Sequence, residues 1–197
     1  AYLSNSKSHD NFVYFDLNKP SLNKTFLIEF NPDVVIHLAW IGIPDYSEKN
    51  SLKNLNSSIE FLNIIIENTN CSKIIVTGSC WEYGTNIGVC SEDNLLNINS
   101  YFSWAKSSLY NYLYYKCSDA KISLIWFRLF YVYGPGQRSI SLIQNLIESF
   151  KLKKTPNILY PNNRNDFVYV EDVVNVIINS LKINVPNGVY NLSLIHI

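Results

Sequence analysis

The sequence predicts an α/β fold with a doubly wound parallel sheet. Two observations carry that reading. Residues 34–39, 73–77 and 122–130 are short apolar runs rich in β-branched side chains, as strands buried on both faces should be. Longer segments with apolar residues at helical period separate them. Strands alternating with helices in this way form right-handed βαβ units.

The elements follow in chain order. Phe12-Val13-Tyr14-Phe15 reads as a short strand, ended by Asp16-Leu17. Pro20, then Leu22, Phe26, Leu27 and Phe30, give a short helix, and Asn31-Pro32-Asp33 a turn. Residues 34–39 are apolar on both faces and read as a central strand. A long helix over residues 52–67 directs Leu55, Ile59, Leu62, Ile65 and Ile66 inward. The strand at 73–77 leads into a loop through Gly84 and Gly88, then a helix over 101–115 and a strand over 122–130.

After Gly134-Pro135-Gly136 the pattern loosens. A helix (141–151), an irregular stretch (154–166), a strand (167–170), a helix (171–181) and a last strand (188–192) are expected. The seam near Gly134 suggests a sheet domain over 1–134 and part of a substrate-side region over 135–197, with the last strand interwoven.

Composition narrows the function. With 47% hydrophobic and 16% charged residues, the chain can bury a core and does not read as disordered. A formal net charge of 0 argues against nucleic acid or an anionic membrane as partner, and no apolar run reaches the ~18 residues of a membrane span. Cys71, Cys80, Cys90 and Cys117 have no CxxC spacing and no nearby histidines. No metal is expected; reduced thiols in a cytoplasmic protein are. The chain contains no methionine and its last residues lack a cap, so it reads as a fragment, and His196 is given no role.

The chemistry-bearing residues gather at the predicted carboxyl edge of the sheet. Phe102 and Lys106 lie four apart, about 40° around a helix axis at ~100° per residue. A lysine ammonium beside a phenol would favour phenolate, but Phe102 has no hydroxyl, and Tyr101 stands one place earlier. The simpler reading of Lys106 is a surface lysine on an amphipathic helix. Thr77-Gly78-Ser79-Cys80-Trp81-Glu82-Tyr83-Gly84 ends one strand where ligands bind in open α/β sheets, so Ser79 is placed to bond a substrate hydroxyl. Leu38-Ala39-Trp40 ends the neighbouring strand, where small Ala39 lets a flat ligand approach the backbone. Residues 128–136 end a third, with Phe130 placed to cover an aromatic ring. Three strand ends at one edge imply a cleft.

Together, Phe15-Asp16-Leu17, residues 34–39, Asn56, residues 77–84, 100–106, 128–136 and 166–172 resemble the extended short-chain dehydrogenase/reductases, the NAD(P)-dependent nucleotide-sugar epimerase/dehydratase family. The resemblance spans residues 12–192 in order. It implies a Rossmann-type fold and NAD or NADP as cofactor. Asp16 and Leu17 would lie by the adenine, and Leu38, Ala39 and Trp40 by the ribose and pyrophosphate. Asn56 would brace the cleft. Thr77 and Phe130 would complete the cofactor side, and Lys106 would reach the ribose hydroxyls. Ser79 and Lys106 would be catalytic, with Phe102 at the tyrosine position and Tyr101 as its substitute. Tyr131 would hold substrate where the family often has asparagine.

Four departures qualify the resemblance. The Gly-rich pyrophosphate loop is absent from the sequence and is expected before residue 1. Phe102 replaces the tyrosine. Asn165 stands where arginine usually precedes Asp-Phe, with Arg164 one place earlier on the substrate side. Cys80-Trp81 replaces the Asp-Glu pair of the 4,6-dehydratases, which disfavours water elimination. The expected activity is therefore epimerisation or ketone reduction of a nucleotide sugar by hydride transfer. A catalytically silent dinucleotide-binding sensor or partner subunit is the alternative, and an unrelated module on the same fold a third. A cytoplasmic location and a homodimer through helix pairs complete the expectation.

Overall fold

The computed structural model describes residues 14–85, 88–158 and 160–194. Four parallel strands form the main sheet, in the order β1 (Val34–His37), β2 (Lys73–Ser79), β3 (Ser123–Leu129) and β6 (Gly188–Leu192). A separate parallel pair joins β4 (Tyr131–Tyr133) to β5 (Phe167–Tyr169). The helices are α1 (Lys24–Phe30), α2 (Glu48–Asn68), α3 (Tyr101–Ala120), α4 (Leu142–Lys151) and α5 (Val170–Lys182).

Helices cover both faces of the sheet, as the alternation predicts. Odd and even residues of each central strand therefore enter different cores. Ile74 and Val76 of β2, with Leu124 and Trp126 of β3, pack against Leu62 and Ile65 of α2 and Leu109 and Leu113 of α3. Ile75, Ile125 and Phe127 face the other way, against Val173 and Ile177 of α5. This explains why β2 and β3 read as unbroken apolar runs.

Several expectations need correction. Of the proposed first strand, Phe12 and Val13 lie outside the described residues, and residues 14–16 form no strand. The first helix is two pieces, a 3-10 turn over Pro20–Asn23 and then α1, and of its apolar residues only Pro20 and Leu27 are buried. Strand β1 stops at His37, and among the described residues it pairs only with β2. Val34 and Ile36 are exposed, so it is an edge strand here. The predicted strand at 167–170 pairs outside the main sheet, as β5, and residue 170 already begins α5.

Candidate functional site

All three strand ends singled out in the sequence lie at one edge. The end of β2 is built most tightly. Ser79 caps a 3-10 turn (Cys80–Tyr83): its Oγ accepts from Trp81 N at 3.2 Å, and Glu82 reaches back to Ser79 N at 2.8 Å. Glu82 is fully buried and also accepts from Trp126 Nε1 at 3.2 Å and Arg128 Nε at 3.0 Å. Gly78 is required here, because a Cβ would come within 2.1 Å of Trp126 Nε1 and 2.4 Å of Glu82 Oε1. Gly84, at φ +62°, ends the turn with its α-carbon against the Asn97 carbonyl.

Helix α3 starts sharply at Tyr101, because Ser100 and Ser103 form a reciprocal cap. Its second residue, Phe102, is buried among three rings: Trp40 at 5.2 Å, Tyr46 at 4.9 Å and Trp81 at 5.6 Å between centroids. One turn on, Lys106 is buried. Its Nζ donates to the Thr77 carbonyl at 2.7 Å and lies 4.4 Å above the Trp40 ring. Burial pulls the Lys106 ammonium down to about 8, with the Glu82 carboxylate pulling the other way. Lys106 is thus a buried cation close to its titration point, not a surface lysine.

At the end of β1, His37 Nε2 lies 3.0 Å from Ser58 Oγ, and burial, reinforced by the Lys106 charge, pushes its pKa down to about 3. Past it, Ile41 is held at both its backbone N–H and carbonyl by Asn54 of α2, at 2.7 and 3.0 Å. Trp40 Nε1 is buried with no hydrogen-bond partner among the described residues.

An open cleft of about 1300 Å³ lies beside these elements. Cys80, Trp81 and Tyr83 form one wall, Cys90 and Ser100 a second, and Phe130, Tyr131, Arg164 and Asp166 a third. Burial, with the Cys90 thiol nearby, pushes Cys80 up to about 12, so it is a neutral thiol at pH 7. Among the described residues no group of three or more His, Cys, Asp or Glu could hold a metal, and no helix is long and apolar enough to cross a membrane.

The sequence itself decides what this architecture belongs to. A family model described as the NAD dependent epimerase/dehydratase family matches residues 1–193. The chain belongs to that family.

A dTDP-4-dehydro-6-deoxyglucose reductase of Escherichia coli is 28% identical over 172 residues, covering 82% of this chain and 54% of that protein. A UDP-glucuronic acid 4-epimerase of Bacillus cereus was solved as a tyrosine-to-phenylalanine variant with UDP-4-deoxy-4-fluoro-glucuronic acid and NAD. It is 27% identical at TM-score 0.76, covering 92% of this chain and 59% of that one. The UDP-N-acetylglucosamine 4-epimerase of Methanobrevibacter ruminantium, in complex with UDP-N-acetylmuramic acid, is 25% identical at TM-score 0.77, covering 87% and 57%. The chain thus spans little more than half the length of these relatives.

Within this family frame, the predicted site residues separate into groups. Phe102 and Lys106 do share a face, and both touch Trp40. Ser79 stands directly behind the cleft wall, and Thr77 takes part through its carbonyl. Phe130, Tyr131 and Arg164 line the cleft itself. Leu38 is exposed beside Ala39 at the end of β1.

Other residues do not meet expectation. Tyr101 is 52% exposed and outside the cleft lining, because the Ser100 cap keeps the first turn regular. Asn56 is exposed on α2, two residues being about 200° around a helix, and Asn54 is the asparagine that braces the strand end. Leu17 is buried and offers no surface to a ligand, while Asp16 Oδ1 accepts from Asn18 N at 2.9 Å and Asn18 Nδ2 at 2.8 Å. Those two bonds hold the Asp16 carboxyl below its ordinary range.

Sequence reasoning also missed Glu82 and Tyr46. Arg128 held the clue to Glu82, since a guanidinium inside an apolar strand requires a buried counter-charge. Nothing in the sequence pattern marks Tyr46.

Proposed function

We propose that the protein binds NAD or NADP together with a nucleotide sugar, and epimerises or reduces the sugar by hydride transfer at a ring carbon. The observation that carries this reading is the placement of Lys106. It is buried behind Ser79's strand, at the sheet edge that opens into the cleft.

The residues at the end of β1 suit an acceptor-rich cofactor. Trp40 Nε1 is a buried donor with no acceptor among the described residues, and Lys106 uses only one of its three protons on Thr77. Ribose hydroxyls or phosphate oxygens would satisfy both. When bound, a nicotinamide dinucleotide supplies hydride acceptance and return.

The chain's own groups do the rest. Ser79 Oγ accepts from Trp81 N, and its O–H can turn from the neighbouring Cys80 sulfur to the sugar oxygen as that oxygen gains charge. Lys106 holds positive charge behind that position. Trp81 and Phe130 exclude water from the reacting end, and Arg164 offers a cation to a diphosphate. No phenol stands at 102, so proton transfer lacks its usual positioned base and turnover is slow.

A second reading follows from Phe102. It is enclosed by Trp40, Tyr46 and Trp81, and its ring has no hydroxyl to set beside the Lys106 ammonium. The absence of a phenol at residue 102, and not any shortage of donors on Lys106, favours a protein that binds without turning over.

Reduced nicotinamide fluorescence, with and without UDP-glucose or dTDP-glucose, separates the two. Enhancement on binding, together with slow conversion of the sugar nucleotide to its epimer when NAD is supplied, supports the enzyme, whereas enhancement with the sugar unchanged supports the silent binder. No enhancement, and no loss of affinity in Trp40→Phe, would reject both.

A further inference from the structure

We infer that Glu82, Arg128, Tyr83 and Asn191 are positioning residues that lock the two opposing walls of the cleft to each other. The inference rests on the reading of this cleft as the nucleotide-sugar site.

The connection can be followed atom by atom. On one wall, Glu82 holds the Ser79 backbone and receives Arg128 Nε at 3.0 Å. Arg128 Nη1 donates to Tyr83 Oη at 2.8 Å and leans toward the Glu92 carbonyl at 3.4 Å, while the guanidinium carbon lies 4.7 Å from the Tyr83 ring centroid. Tyr83 Oη passes its own proton to Asn191 Oδ1 at 2.8 Å. Asn191, on β6, then grips the other wall: its backbone N–H donates to Glu92 Oε1 at 2.6 Å and its Nδ2 to the Cys90 carbonyl at 3.0 Å. Arg128 Nη1 carries two protons and so serves both Tyr83 and Glu92, and the path is continuous from Ser79 to the segment carrying Cys90.

Stability alone is a poor reason for such a set. A buried ion pair roughly breaks even against well-packed apolar side chains of the same volume. An apolar pair would fill this space but would not take up the Ser79 N–H, nor reach the backbone of residues 90–92. Cys80, Trp81 and Tyr83 line the cleft from one end of the path, and Cys90 from the other. A ligand touching either wall therefore acts on the position of Ser79.

The test uses amide resonances of Ser79 and Asn191 in the whole protein, with UDP-glucose as probe. In the wild type both resonances should move together as UDP-glucose is added. Tyr83→Phe removes one hydroxyl and keeps the ring over Arg128. It should retain the shift at Ser79, abolish it at Asn191, raise Asn191 amide exchange about tenfold and weaken UDP-glucose several-fold. Glu82→Gln should raise exchange at both amides. If Glu82→Gln does not fold, Tyr83→Phe decides alone.

A Tyr83→Phe protein with wild-type Asn191 exchange and wild-type ligand-induced shifts would overturn the inference. So would a Glu82→Gln protein disturbed at Ser79 only. If the wild type binds neither UDP-glucose nor dTDP-glucose, the nucleotide-sugar reading fails instead, while the exchange rates still decide whether the walls are locked.

Discussion

The ends of β1 and β2 are neighbours in one sheet and are held differently. Around β2, Glu82 has three donors, Gly78 leaves no room for a methyl group, and no buried side-chain polar atom lacks a partner among the described residues. Around β1, Trp40 keeps an unpartnered donor, and the backbone at Ile41 is held by two side chains of one helix, Asn54 at the N–H and both Asn50 and Asn54 at the carbonyl. The difference teaches which end sets geometry and which receives a ligand. A fully partnered wall keeps its shape, whereas an unpaired buried donor is a cost that a ligand acceptor removes.

The largest contrast should appear in stability. Glu82→Leu strands a buried guanidinium and should cost about 3–5 kcal/mol. Trp40→Phe removes an unsatisfied donor and should cost no more than about 1 kcal/mol. Urea unfolding measures both, and equal costs would erase the distinction between the two ends.

Almost as large an effect should come from pH. The folded-state pKa of His37 is lowered from 6.5 to about 3, so across that window the unfolded chain binds the extra proton. Stability should rise with pH over the interval and fall on acidification, by up to roughly 5 kcal/mol at ~1.4 kcal/mol per unit. Lys106, lowered from 10.5 to about 8, has the same sign at the alkaline end: stability should rise from pH 8 toward 10.5. His37→Gln should flatten the acid limb and leave the alkaline one.

Phe102→Tyr should raise turnover at least ~10²-fold in the protein supplied with cofactor, the range a positioned base contributes. Tyr101→Phe should change turnover less than about twofold, since that ring is half exposed and stands ~140° from Lys106 around the helix. Steady-state kinetics on both variants decides, and the reverse pattern would restore Tyr101 as the base. The smallest contrast lies on α2. Asn54→Ala should cost about 1–2 kcal/mol by freeing the Ile41 N–H, whose carbonyl keeps Asn50, and Asn56→Ala no more than ~0.5 kcal/mol.

The sequence was most readable where physics acts along the chain. Strands β2 and β3 are buried on both faces, and that alone makes their apolar runs continuous. The capped start of α3 was visible in Ser100, and the Phe102–Lys106 spacing placed both on one face. Reading failed where the decisive partner is distant in sequence. Glu82 and Arg128 are 46 residues apart, and neither looks like a site residue without the other. Asn54 was within reach, because it shares an inward helical face with Ser58 and Leu62, whereas Asn56 does not.

The packing of Phe102 has a chemical consequence. Its ring is held from three sides by other aromatics, in the place where the family's resemblance puts a tyrosine. The two side chains differ by a single oxygen atom, and the cap, the helix and the lysine one turn away do not depend on it. A hydroxyl at this position is thus separable from everything that holds the ring in place. One substitution at residue 102 would therefore change the chemistry this helix offers while the fold stands still.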